Sequence, residues 1–104
     1  MIIVSGTLKV EPGALDKVRN EMETNIRATR DEEGCIYYSY GVDVLDPDTI
    51  IILEYWESWE TLQAHGAQPH MAAWGKALGA AGMVSRNLRF IEAGEEKFPL
   101  GKKG

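Results

Sequence analysis

Residues 49–57 read TIIILEYWE, an aliphatic run that an acid interrupts just before two aromatics. A strand with one wet face alternates apolar and polar residues, and this stretch does not. It therefore belongs in the middle of a sheet covered on both sides. Any fold assigned to the chain has to supply both covers, and the other segments show how far one copy can do so.

Over residues 2–10, Ile2, Val4, Gly6, Leu8 and Val10 alternate with Ile3, Ser5, Thr7 and Lys9, which predicts a first strand. Glu11-Pro12-Gly13 breaks it. Leu15, Val18, Met22 and Ile26 then recur at helical spacing, an amphipathic stripe that Gly34 is expected to end. CIYYSYGVDV puts Ile36, Tyr38, Tyr40 and Val42 on one face of a second strand. Asp46-Pro47-Asp48 has turn chemistry. A hairpin centred on Pro47 sets Tyr40 opposite Glu54 and Tyr38 opposite Trp56. Ser58 can cap a short helix running through Ala64. Thr61 stands where a capping box asks for Glu or Gln, so only the single cap is expected. Pro69 opens another helical stretch, which Gly79 and Gly82 stop, and MVSRNLRFIE alternates as a last strand.

The order β-α-β-β-α-β predicts an α+β, ferredoxin-like domain over residues 1–92, an antiparallel sheet with helices on one face. Residues 93–104 form a polar tail whose end, GKKG, should fray. Ile3, Ile51, Leu53, Tyr55 and Ile91 fall on the face that the helices leave bare. An apolar patch of that size calls for a partner. A homodimer packed sheet to sheet is the expected answer.

Composition removes several classes. A net charge of −5 and a pI near 5.0 repel phosphate backbones and anionic membranes, so nucleic acid and membrane are not expected partners. The N-terminal MIIVSGTLKV has neither a basic flank nor a cleavage signature, and its apolar run is too short to span a bilayer. Cys35 is the only cysteine, which rules out an internal disulfide or a thiolate metal cage. The expected location is the cytoplasm.

Two of the three tryptophans and both histidines gather in EYWESWETLQAHGAQPH, residues 54–70. His65 and His70 would stand about 140° apart on an unbroken helix. Pro69 allows a bend, and with Glu54 the pair would make the ligand set of a non-haem iron site. Isolated surface or capping histidines are the commoner outcome, and no metal is expected. Glu54 lies on the buried face with Ile50, Ile52 and Trp56, where a carboxylate is costly unless paired. Arg86, Tyr40 or a helix end could pair it; otherwise it orients a histidine or lines a pocket.

EEGCIYYSYGVD, the DPDT turn and IIILEYWESWETLQAHGAQPHMAAW together resemble the antibiotic biosynthesis monooxygenase family, most of all its small quinol monooxygenases. The residues carrying the likeness are Glu33, Gly34, Cys35, Tyr38, Glu54, Trp56, His65 and His70. The resemblance implies a dimeric α/β barrel with a pocket between each sheet and its helices. It also implies oxygenation of a quinol or hydroxylated polycyclic aromatic by O₂ without a cofactor. On that basis His65 is the expected base and Glu54 its orienter. Tyr38, Tyr40, Trp56 and Trp74 are the expected pocket walls, and Arg86 or Asn87 the expected oxyanion donor. The haem-degrading branch is disfavoured, because His65, Gly75 and Ser5 replace that pattern's tryptophan, histidine and asparagine. Other relatives imply two alternatives, an isomerase or other proton-transfer enzyme and a non-catalytic dimer that binds a small molecule.

Overall fold

The computed structural model describes residues 1–99; the expected fraying of GKKG lies outside them. The elements run β1 (Ile2–Val10), α1 (Ala14–Lys17), α2 (Arg19–Arg30), β2 (Cys35–Asp43), β3 (Asp46–Trp56), α3 (Trp59–Gly66), α4 (Pro69–Ala81) and β4 (Met83–Glu92). One antiparallel sheet has the order β2-β3-β1-β4, the ferredoxin-like arrangement. Each helical layer of the simple pattern is split in two, at Val18 and between Gly66 and Pro69.

The apolar run of β3 occupies an interior position, with β1 on one side and β2 on the other. Ile50, Ile52 and Trp56 point into the helical layer beside Val4, Leu8 and Val10 of β1, all nearly inaccessible. Leu15, Val18, Met22, Trp74 and Leu78 close over the Ile50/Ile52 half. Leu62 closes over Trp56 and Tyr38. Fully burying one such side chain contributes about 1.5–3 kcal/mol, so this layer supplies most of the driving force. The opposite face has no such cover: Ile51 and Ile91 are about half exposed, and the Tyr37 and Tyr55 rings lie 5.4 Å apart.

Three local expectations change. The first helix ends at Arg30 rather than at Gly34, and residues 31–34 form a turn. The β2–β3 hairpin turns at Val44-Leu45, so Tyr38 faces Glu54 and Tyr40 faces Ile52, two residues away from a pairing centred on Pro47. Asp46 explains the difference. Its carboxylate accepts from Lys9 Nζ, Thr49 Oγ1 and the Asp48 amide, tying it into the start of β3. Because side chains alternate with period two, a shift of two leaves Tyr38, Tyr40 and Val42 on their expected face. Ile36 leaves it, because an irregularity between Cys35 and Tyr37 brings Cys35 to the inner face in its place. Finally, α3 does have a reciprocal capping box. Thr61 N donates to Ser58 Oγ, and Ser58 N donates to Thr61 Oγ1 at 3.2 Å, a hydroxyl doing the work of Glu or Gln.

Two glycines allow close approaches that position the site. Gly34 has φ 82°, and a side chain there would collide with Thr61, so the turn after α2 seats directly on the start of α3. Gly6 faces the β4 backbone, where a Cβ would lie 1.9 Å from the Asn87 carbonyl oxygen. Gly6→Ala should therefore force β1 and β4 apart and destabilise the domain by about 1–3 kcal/mol, the usual cost of overpacking. Urea unfolding midpoints of the two proteins measure it, with Gly41→Ala, which meets nothing within 4 Å, as the control.

Candidate active site

The turn at residues 31–34 carries Glu32 beneath the junction of α3 and α4. His65 sits in the last turn of α3, and His70 in the first turn of α4. The break at Pro69 removes the helical offset that would have separated the two rings, whose centroids are 6.0 Å apart. A single carboxylate oxygen, Glu32 Oε2, contacts His65 Nδ1 at 2.8 Å and His70 Nε2 at 2.9 Å. His70 is therefore not peripheral. The acid that orients His65 is Glu32 and not Glu54, because Glu54 accepts from the indole of Trp56 at 2.9 Å.

The network continues inward. His70 Nδ1 meets Asn25 Oδ1 at 2.8 Å, Asn25 Nδ2 donates to the Tyr38 hydroxyl at 3.1 Å, and the Tyr38 and Tyr40 hydroxyls are 2.6 Å apart. Thr29 Oγ1 donates to the Asn25 carbonyl, and Arg30 Nε donates to that of Tyr38. Trp56 is fully buried under the His65 ring, their centroids 4.8 Å apart, and Tyr38 meets the same ring edge-on. Packing and hydrogen bonds together leave His65 very little freedom to rotate.

Its other nitrogen is available. Among the described residues no buried polar side-chain atom lacks a partner, and Nε2 has no hydrogen-bond partner among them. His65 lines a cavity of about 520 Å³ with Val4, Glu54, Leu62, Arg86 and Phe90, so Nε2 opens there. Since Nδ1 must donate to the carboxylate, a neutral ring keeps its lone pair on Nε2. Burial holds the His65 pKa below the ordinary imidazole value, against the pull of Glu32. The ring in its resting form is thus a neutral base facing the cavity.

Several expected wall residues lie elsewhere. Trp56, Tyr38 and Tyr40 form the packed floor beneath His65 and the hydrogen-bonded network, and they do not line the cavity. Trp74 borders a smaller cleft of about 220 Å³ with His70 and Asn25. Asn87 pairs with Thr7 on the sheet's bare face, whereas Arg86, one residue away, reaches the cavity. Strand alternation decides between them. Trp59 and Phe90 stack edge to face at 6.2 Å as an apolar lip, both about half exposed.

Glu32 and Asn25 belong to the candidate site, and sequence reasoning missed both. Asn25 and Thr29 follow Met22 at helical spacing, so polar side chains on a buried stripe were the available signal. Cys35 begins β2 close by. Burial, Glu32 and Glu54 all raise its pKa.

These features describe a ferredoxin-like α+β protein whose histidine, held by a carboxylate, faces a partly apolar cavity. Residues 1–77 match the antibiotic biosynthesis monooxygenase family, and the chain belongs to it. The Escherichia coli K12 protein named "Probable quinol monooxygenase YgiN" is 29% identical, across 90% of this chain and 99% of its own. A Deinococcus radiodurans crystal structure superposes with a TM-score of 0.87 at 28% identity, covering 97% of this chain and all of that one. Rv0793 of Mycobacterium tuberculosis shares the fold at a TM-score of 0.80 and 20% identity, over 91% and 96% of the two chains. No helix among the described residues is long and apolar enough to cross a membrane.

Glu54 yields a stability prediction. Burial is the main cause of a carboxyl pKa pushed up to about 7, with the Glu32 charge adding to it and the Trp56 bond opposing it. The unfolded chain loses this proton near pH 4.5 and the folded one near 7, so stability falls as pH rises between those values. Glu54→Gln keeps an acceptor for Trp56 and removes the titration. Its stability relative to wild type should rise by about 3 kcal/mol from pH 4 to pH 8, read by urea unfolding at both.

Proposed function

We propose that this protein is a monooxygenase that oxidises a quinol or hydroxylated polycyclic aromatic with O₂. The observation carrying this reading is the Glu32–His65 pair, fixed at Nδ1 and open at Nε2 on a cavity with apolar walls and one guanidinium. Family membership and the name of the Escherichia coli relative support it. In the reaction His65 Nε2 takes the phenolic proton, and Glu32 stabilises the imidazolium that forms. Arg86 offsets the oxyanion charge. The electron-rich phenolate carbon bonds to O₂ to give a hydroperoxide, which loses water as the new carbonyl forms. One quinol and one O₂ thus become one hydroxyquinone and one water, with every electron supplied by the substrate. Val4, Leu62, Leu88 and Phe90 shield the carbanionic stage from solvent protons.

Oxygen uptake on a panel of quinols and hydroxynaphthoquinone-type compounds tests the reading. His65→Ala should lower turnover by about two to four orders of magnitude, the usual worth of a positioned base. Glu32→Gln should lower it less. Because only the neutral ring accepts a proton and burial depresses its pKa, turnover should rise with pH and level off below the usual imidazole range. Proton transfer without oxygen consumption would make the protein an isomerase-type catalyst using the same base. Unchanged uptake in His65→Ala would remove His65 from the mechanism.

The working unit we propose is a homodimer joined through the bare sheet face, a dimeric α/β barrel. Ile51, Tyr37 and Ile91, each about half exposed on that face, support it. Leu53→Asp should dissociate or unfold the protein, since burying an unpaired carboxylate costs on the order of several kcal/mol. Light scattering coupled to size exclusion separates the two outcomes; a compact wild-type monomer at micromolar concentration would refute the dimer.

A further inference from the structure

The geometry points to a binding site for a divalent transition-metal ion of the zinc type, formed by Glu32, His65 and His70. It is not the set suggested by sequence, in which Glu54 supplied the carboxylate. One ligand atom from each of Glu32, His65 and His70 lies within 4.8 Å of the others, and Glu32 Oε2 contacts His65 Nδ1 at 2.8 Å and His70 Nε2 at 2.9 Å. All three side chains are largely withdrawn from solvent, at 11%, 4% and 18% exposure. Two imidazoles and a carboxylate make a borderline donor set that suits zinc, iron(II) or cobalt(II) and not calcium or magnesium.

The hydrogen-bond count gives the second argument. Asn25 Nδ2 donates to the Tyr38 hydroxyl, so Oδ1 is the amide atom that faces His70 Nδ1. That nitrogen must therefore carry a proton. A neutral His70 then presents a lone pair on Nε2, directly opposite the Glu32 oxygen at 2.9 Å. Two acceptors at that distance need a positive centre between them. A proton can supply it, giving an imidazolium–carboxylate pair, and so can a metal ion. Asn25, 1% exposed and locked by Tyr38 and Thr29, already performs the outer-partner role that fixes a ligating histidine's tautomer.

Tetrahedral donors about zinc stand roughly 3.4 Å apart. Glu32 must therefore withdraw slightly from both rings, which its position in a turn instead of a helix allows, and His70, the more exposed ring, must close on the fixed His65. His70 gives up its Nε2 proton. His65, coordinated through Nδ1, carries its single proton on Nε2 instead. A ring in that form donates into the cavity and cannot accept. Metal occupancy thus switches off the base, a consequence that rests on the function proposed above, whereas the site itself does not.

Metal-free protein titrated with Co²⁺ and Zn²⁺ tests the site without reference to turnover. One equivalent per chain should bind, with the intense visible bands of tetrahedral cobalt, and zinc should displace them. Zinc binding measured calorimetrically in buffers of different ionisation enthalpy should report a released proton. His70→Gln and Glu32→Gln, each checked for folding by circular dichroism, should weaken binding beyond the roughly 10–100-fold that loss of an outer partner costs. Asn25→Asp keeps an acceptor for His70 and should bind at least as tightly as wild type. No stoichiometric binding, or affinity unchanged in both ligand variants, overturns the site. If zinc binds and quinol-dependent oxygen uptake persists, the site stands and the base assignment falls.

Discussion

One carboxylate oxygen holds the functional half of this molecule together. Glu32 Oε2 receives histidines from two different helices, while Glu32 itself comes from the turn after a third. A buried acceptor shared this way is costly if any partner is lost, because the remaining groups stay desolvated and unpaired. The turn and the α3–α4 break are therefore fixed relative to one another through Glu32, and the inward face of α2 joins them through the His70–Asn25 bond. Gly34 makes it geometrically attainable by letting the turn sit against Thr61. Apolar packing builds the layer, and Glu32 sets how its parts are registered.

The two acids of the site, Glu54 buried and Glu32 partly so, show how similar side chains acquire different roles from their surroundings. Glu32 has two imidazole partners. Glu54, on a central strand, has one indole donor, and burial moves its pKa towards neutrality. A carboxyl that is partly protonated near pH 7 can act as donor or acceptor at the wall of the cavity that His65 also lines. The cavity thus gathers an imidazole, a carboxyl and a guanidinium around one space.

The architecture was legible in the sequence because it rests on period and composition. The apolar run of β3 announced an interior strand, and the alternation in β1 and β2 assigned faces that survived a two-residue change of register. His65 was also legible, standing among aromatics with no core to fill. Glu32 was not. It lies beside Glu33 in a polar turn, and nothing local distinguishes the acid that turns inward from its exposed neighbour. The approach of His70 was hidden for a related reason. It depends on the angle between two short helices, which spacing along one helix cannot express. The expected walls failed through the size of the rings: Trp56 and Tyr38 are large enough to fill the floor completely, which leaves smaller side chains to line the space.

Cys35 stands at the edge of this acidic neighbourhood. Its thiol is kept protonated by burial and by the nearby charges of Glu32 and Glu54. Peroxides attack the thiolate and scarcely touch the thiol. Burial, together with the carboxylate charge that holds the histidines, thus gives the only sulfhydryl of the chain a measure of oxidative resistance.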